Sequence, residues 1–219
     1  ANNFGVSVIL DSVSSFAACP TRMDKWRVAI CCTASQKALG APPGVAPVLV
    51  APQAWERIDV VGNVGRGWYT DLRTWKRAAE EMPDYHPQPA TMSVNVVRAL
   101  ATSLSIQEQE HLEQRYDRMA RSALELRRRM RSLGFRTLAK ESYASPSITA
   151  FIPPEGRELE ASAIIGYLRE KAGLIVAKGI GMGKLDTHII RIGHMNKLAY
   201  GPYSDLLLET LELYLRNTS

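Results

Sequence analysis

Short β-branched apolar runs, each stopped by polar residues, open the chain. Residues 6–10 (Val-Ser-Val-Ile-Leu) read as a buried parallel strand ended by Asp11, and residues 28–33 as a second one. A third run, 45–50, contains Pro47 and is expected at an edge or irregular position, because proline offers no N–H to a ladder. Gly40-Ala41-Pro42-Pro43-Gly44 between them is a rigid turn. Residues 53–58 predict a short helix, and 62–67 a glycine-interrupted loop of the kind that can lie over a site. After the proline-rich turn at 83–89, a helix is expected over 91–103. A long amphipathic helix follows over 107–133, with Leu112, Tyr116, Met119, Ala123 and Leu126 on one stripe and Gly134 as its C-terminal cap. Strands near 135–139 and 147–152, a helix over 161–172, strands near 174–177 and 188–192, and a helix over 202–216 complete the pattern.

The alternation changes character near residue 105. The expectation is an α/β chain in two parts: residues 1–106 with a mainly parallel sheet, and residues 107–219 forming a smaller α+β domain. No internal repeat or low-complexity segment is present. The 219 residues, 46% hydrophobic and 22% charged, have an ordinary globular composition with enough apolar material for a core.

The net charge of +5 raises nucleic-acid binding, but its source argues against that class. The excess sits in Arg121, Arg127, Arg128, Arg129 and Arg131, interleaved with Glu108, Glu110, Glu113 and Glu125, a mixture expected on the solvated face of a helix. Cys19, Cys31 and Cys32 are odd in number, in apolar surroundings and without metal-ligand spacing. Buried, reduced thiols of an intracellular protein are expected, with cytoplasm, peroxisome and mitochondrion left open. No apolar run is long enough to span a bilayer, so no membrane partner is expected. The first residues, Ala1-Asn2-Asn3-Phe4-Gly5, carry no initiator Met and lead straight into a strand. The chain therefore reads as beginning within a domain.

Two residues 26 positions apart carry the chemistry. Asp11 closes an apolar strand, and Lys37 lies in the small polar loop Thr33-Ala34-Ser35-Gln36-Lys37. A carboxylate and a lysine are the anchors that pyridoxal phosphate requires: the amine condenses with the aldehyde, and the carboxylate keeps the pyridine nitrogen protonated. Small and hydroxyl-bearing neighbours of Lys37 leave room for a phosphate and offer it donors, and strand ends of α/β sheets are where ligands bind. Taken alone, Lys37 reads as a surface residue and Asp11 as a turn residue. Arg191, within the apolar run His188-Ile189-Ile190-Arg191-Ile192-Gly193-His194, needs a partner. That partner is either a structural counter-charge or a substrate carboxylate, for which the guanidinium fork is suited.

Asp11-Ser12-Val13-Ser14-Ser15, Met23-Asp24-Lys25-Trp26, Ser35-Gln36-Lys37-Ala38-Leu39, Pro42-Pro43-Gly44 and Arg191-Ile192-Gly193-His194-Met195 together resemble the class V, fold-type I aminotransferases. Within that family the alanine–glyoxylate, serine–pyruvate and serine–glyoxylate enzymes are the nearest match, over nearly the whole chain. The resemblance implies pyridoxal 5'-phosphate as cofactor, with Lys37 as its Schiff-base lysine, Asp11 the pyridinium partner, Val13 beneath the ring and Gln36 a phosphate ligand. It assigns the substrate carboxylate to Arg191. Tyr85 and Gln88 fall where the family places a Tyr and a Thr that reach the cofactor phosphate of a neighbouring subunit, which implies a homodimer; Gln88 departs from the usual Thr. Lys178 stands where a Gly is common, ahead of Gly179-Ile180-Gly181. Arg27 replaces a frequent Gly, a change expected to be without consequence. The family's N-terminal portion, with its dimer arm, phosphate-binding loop and ring-stacking aromatic, has no counterpart in these residues.

The implied activity is ping-pong transfer of an amino group from alanine or serine to glyoxylate or pyruvate. Two alternatives stand beside it. One is a class V lyase or desulfurase, although Gln36 occupies the place of the usual desulfurase His. The other is a truncated, non-catalytic chain that acts only through a partner.

Overall fold

The computed structural model describes residues 4–61, 67–181, 183–195 and 201–218. The chain divides into two compact units, one of Ala1–Phe16 with Thr21–Ile106 and the other of Ala17–Pro20 with Gln107–Ser219.

In the first unit, β1 (Val8–Asp11) lies parallel to β2 (Val28–Cys32), and β3 (Val48–Val50) pairs antiparallel on the far side of β2. The central strand is the most buried, as its unbroken Val-Ala-Ile-Cys-Cys run requires. Pro47 precedes the shortened β3, where its carbonyl still accepts the Thr33 N–H at 3.0 Å. Helices α1 (Pro52–Val61), α2 (Leu72–Glu81) and α3 (Val94–Glu110) follow. Helix α2, not anticipated from sequence, places Leu72, Trp75 and Ala79 on one face. Its start is set by Asp71, whose carboxylate accepts the Arg73 N–H at 3.0 Å as an N-cap. Most of the predicted glycine loop, residues 62–66, lies outside the described residues.

The second unit packs α4 (Leu112–Ser132), α5 (Ala161–Ala172) and α6 (Pro202–Asn217) with an antiparallel sheet. Its strands β4 (Arg136–Thr137), β5 (Ile148–Ile152), β6 (Ala177–Lys178) and β7 (Ile190–Gly193) are ordered β4-β5-β7-β6. Met130, Phe135, Phe151, Ile164, Leu168, Ile190 and Leu211 fill the core. Gly134 ends α4 with φ +85°; its N–H reaches Arg131 O, while the Phe135 N–H reaches Met130 O, the paired bonds of a Schellman cap.

Five expectations need correction. Strand β1 is not buried: Ile9 is 70% exposed, because the strand has β2 on one side only. Of the three thiols, Cys31 is buried while Cys19 and Cys32 are half-buried. The helix predicted over 107–133 is split: α3 runs on to Glu110, and His111, at φ +63°, breaks the helical path before α4. Arg127 does not lie on a solvated face. It follows the buried stripe of Met119, Ala123 and Met130, and its guanidinium is met by Glu141 at 2.6 Å and by Ser145 O at 3.2 Å. Arg27 also has a consequence, because its φ of +52° is the left-handed conformation that favours glycine. Arg27→Gly should raise stability by about 0.5–1 kcal/mol, the relief of strain outweighing the extra freedom of the unfolded chain. A denaturation midpoint that stays or falls would contradict this.

Candidate functional site

Asp11 and Cys32 are register partners at the ends of the parallel strands β1 and β2, and Lys37 follows Cys32 by five residues, so both anchors belong to one end of the sheet. The Lys37 loop is held by its own backbone: Lys37 N–H donates to Ala34 O at 3.3 Å, and Gly40 N–H to Lys37 O at 2.9 Å. Ser35 is buried. Its hydroxyl donates to Pro42 O at 2.6 Å and accepts the Val45 N–H at 3.4 Å. The sequence reading offered such hydroxyls to a phosphate; instead the Ser35 proton is used to tie the lysine loop to the Pro-Pro-Gly turn.

The side chains at this sheet end are only partly occupied. Asp11 Oδ1 accepts the Val13 N–H at 3.0 Å, and no cation pairs with Asp11 among the described residues. Its charge, after burial and Cys31, helps push the Cys32 thiol up. Lys37 is half-buried, and among the described residues its ammonium has no partner. Gln36 is exposed, Val13 half-buried, and the buried Thr33 hydroxyl is also unpartnered among the described residues. An anionic acceptor for a pyridinium N–H, an amine for an aldehyde and an exposed amide for a phosphate form a donor set that fits pyridoxal phosphate.

Tyr85 projects from the turn after α2, where the Tyr85 and His86 N–H groups both reach Met82 O, and it is 87% exposed. Gln88 is half-buried and its carbonyl accepts from His86 Nδ1 at 2.7 Å.

In the second unit, Arg191 sits at the middle of β7 between Ala150 of β5 and Ala177 of β6. Ile190 and Ile192 turn to the core, so Arg191 takes the opposite face. Its Nε donates to Lys178 O at 2.8 Å, and no carboxylate pairs with it among the described residues. The structural counter-charge is therefore not found there, and the terminal nitrogens stay available. Lys178 O is held by a tight neighbour: a Cβ on Gly179 would stand 2.7 Å from Asp186 Cα. Only glycine fits there, which keeps the acceptor of Arg191 in place.

His194 was not singled out by sequence, although it continues the buried alternation of Ile190 and Ile192. Its ring is buried, with Nδ1 2.9 Å from Pro146 O and Nε2 2.9 Å from Thr149 Oγ1. The carbonyl can only accept, so Nδ1 carries the proton and Thr149 donates to Nε2. Burial lowers its pKa to about 4, helped by the Arg127 charge. The native state thus binds fewer protons than the unfolded chain below about pH 6.5. This contribution is complete above that pH and is lost as pH falls through the folded value, at up to about 1.4 kcal/mol per pH unit. Urea midpoints measured from pH 7 to pH 4 should fall more steeply than in His194→Gln; parallel curves would contradict the reading.

The fold is shared with known proteins. No protein-family model matches the chain. An uncharacterized aminotransferase of Methanocaldococcus jannaschii is 37% identical over 187 residues, which is 85% of this chain and 46% of that protein. The crystal structure of an alanine–glyoxylate aminotransferase from Nostoc superposes on 98% of this chain and 55% of its own, with TM-score 0.88 and 26% identity. The chain belongs to the class V aminotransferases. Its architecture is that of their fold-type I structures. One relative in this group, 33% identical over 86% of this chain and 46% of its own length, carries the name soluble hydrogenase, small subunit, from a Synechococcus. The chain spans about half the length of the curated relatives it matches. Among the described residues no helix is long and apolar enough to cross a membrane.

Proposed function

We propose that the protein containing this chain is a pyridoxal 5'-phosphate-dependent transaminase that moves an amino group from alanine or serine to glyoxylate or pyruvate. The observation that carries the reading is Asp11 and Lys37 at one end of a parallel strand pair, each without a counter-charge among the described residues. Bound pyridoxal phosphate supplies an aldehyde that condenses with amines and a ring that accepts the electron pair of the amino acid's α-carbon. Lys37 would be the residue that holds the aldehyde, and once its amine is free it would serve as general base and acid for the proton at the α-carbon. Asp11 would hold the ring nitrogen in its protonated form, and Val13 and Gln36 would contribute to holding the ring and the phosphate. Arg191 binds the amino acid's carboxylate through its free terminal nitrogens.

Tyr85 and Gln88 are assigned to the phosphate of a second subunit, so a homodimer is part of the proposal. The 87% exposure of Tyr85 supports it, since a hydroxyl so exposed is available to a group outside this chain. The test is an assay of the full-length protein with alanine and serine as donors and glyoxylate and pyruvate as acceptors. Matching amounts of new amino acid and keto acid are expected. Elimination or sulfide release without amino transfer would favour a lyase or desulfurase, and no cofactor binding at all would favour a chain that acts only through a partner.

A further inference from the structure

We propose that His194 is a positioning residue for Arg191, acting as the pin that fixes the register of β7 against β5. The inference rests on the reading of Arg191 as the carboxylate-binding group. Beyond Gly193 the ladder continues, with the His194 N–H on Ser147 O at 2.9 Å. From that point the imidazole reaches along β5 in both directions, to Pro146 O before the strand and to Thr149 Oγ1 within it. Arg127 of α4 donates to the same Thr149 oxygen at 3.4 Å and is itself anchored by Glu141. A neutral ring with one donor and one acceptor is thereby satisfied on both sides, and it sits between two points that a shifted strand could not meet together.

Register matters here because the side-chain period of a strand is two. A slip of one residue would carry Arg191 to the face now occupied by Ile190 and Ile192, and those isoleucines to the other face. The backbone ladder alone does not prevent this, since every register forms similar bonds. Of the side chains on β7 and the residue after it, Ile190 and Ile192 resist a slip through their apolar burial, while His194 adds directional bonds to Pro146 O just before β5 and to Thr149 Oγ1 within it. Arg191, on β7, is three residues before His194. A small displacement of its guanidinium is enough to misplace a bidentate contact, and misplacement by about 1 Å can cost on the order of 100-fold.

The test uses the full-length, cofactor-loaded protein and the variants His194→Ala, His194→Asn, Thr149→Val and Arg191→Gln. His194→Ala is expected to raise KM for the amino donor between about 10- and 100-fold with kcat changed little. The cofactor's visible absorbance should be unaltered. Thr149→Val, which keeps side-chain volume and removes the hydroxyl, should move KM in the same direction. His194→Asn retains a donor for Pro146 O and should recover part of the loss. Affinity for an unreactive carboxylate lacking the amino group, read by perturbation of the cofactor spectrum, should fall in parallel with KM. In the double variant His194→Ala/Arg191→Gln, KM should match Arg191→Gln alone, because a misplaced group and a missing group cost the same contact. Multiplying effects, or a lowered melting temperature with KM unchanged in both His194→Ala and Thr149→Val, would overturn the proposal. An Arg191→Gln variant with unchanged KM would instead overturn the carboxylate reading on which the proposal stands.

Discussion

Lys37→Ala should abolish the visible absorbance of the bound cofactor and lower transamination by about 1,000-fold or more. The size of the effect follows from two roles held by one amine. In the proposed reading Lys37 would both attach the cofactor and move the α-proton when the carbon–hydrogen bond breaks. Its stem is half-buried, and among the described residues no carboxylate pairs with its amine. Lys25, exposed in the loop before β2, provides the comparison: Lys25→Ala should leave both the absorbance and the rate unchanged. A Lys37→Ala protein that kept the wild-type absorbance would place the attachment elsewhere. Because Lys37 N–H and O bond through the backbone, the alanine variant keeps the loop, and its melting temperature without cofactor should stay close to wild type.

Arg191→Gln should raise the KM for the amino donor by roughly 30- to 1,000-fold, equivalent to about 2–4 kcal/mol for removing one side of a charge-assisted bidentate contact. The position makes the prediction specific. Arg191 is opposite the core face of β7, and its Nε is already committed to Lys178 O. One edge of the guanidinium is therefore fixed, and the free edge is oriented before any substrate arrives. Glutamine keeps the side chain polar at an exposed face, so loss of folding should not obscure the result. Kinetics across amino donors would show the effect in every donor that carries an α-carboxylate, and amines lacking one should be affected little. An equal loss for both classes would remove Arg191 from substrate binding.

Much of the fold was legible because burial and period agree in most elements. The apolar run at β2, the stop at Gly134 and the helix α5 each follow from a local signal that no tertiary contact opposes, whereas the run at β1 forms its strand without the expected burial, Ile9 being 70% exposed. The misses have physical causes. Helix α2 carries a start signal in Asp71 and an apolar stripe of Leu72, Trp75 and Ala79, but it is only ten residues long and set between turns, and it was passed over. The break at His111 lies within a charged stretch whose helical period runs on unbroken, and only its positive φ reveals the interruption. Arg127 shows the limit of a charge count: one arginine of a run is drawn into the core by a glutamate 14 residues later, a pairing no local pattern announces.

At the candidate site, Asp11, Lys37 and Arg191 were visible because their charges stand at the ends or middle of apolar strands. Ser35 was read toward a phosphate because its nearness to Lys37 was evident, whereas its bond to Pro42 O depends on how the loop folds back. His194 was overlooked because a histidine in a buried alternation reads as ordinary core. Its meaning emerges only with Pro146 and Thr149 beside it.

The most direct test of the central claim is to reduce the full-length, cofactor-loaded protein with borohydride, digest it and locate the labelled peptide by mass spectrometry. The phosphopyridoxyl group is predicted on Lys37, in the peptide containing Ala34-Ser35-Gln36-Lys37. A label on any other lysine, or none on a protein that shows the cofactor's absorbance, would contradict the assignment.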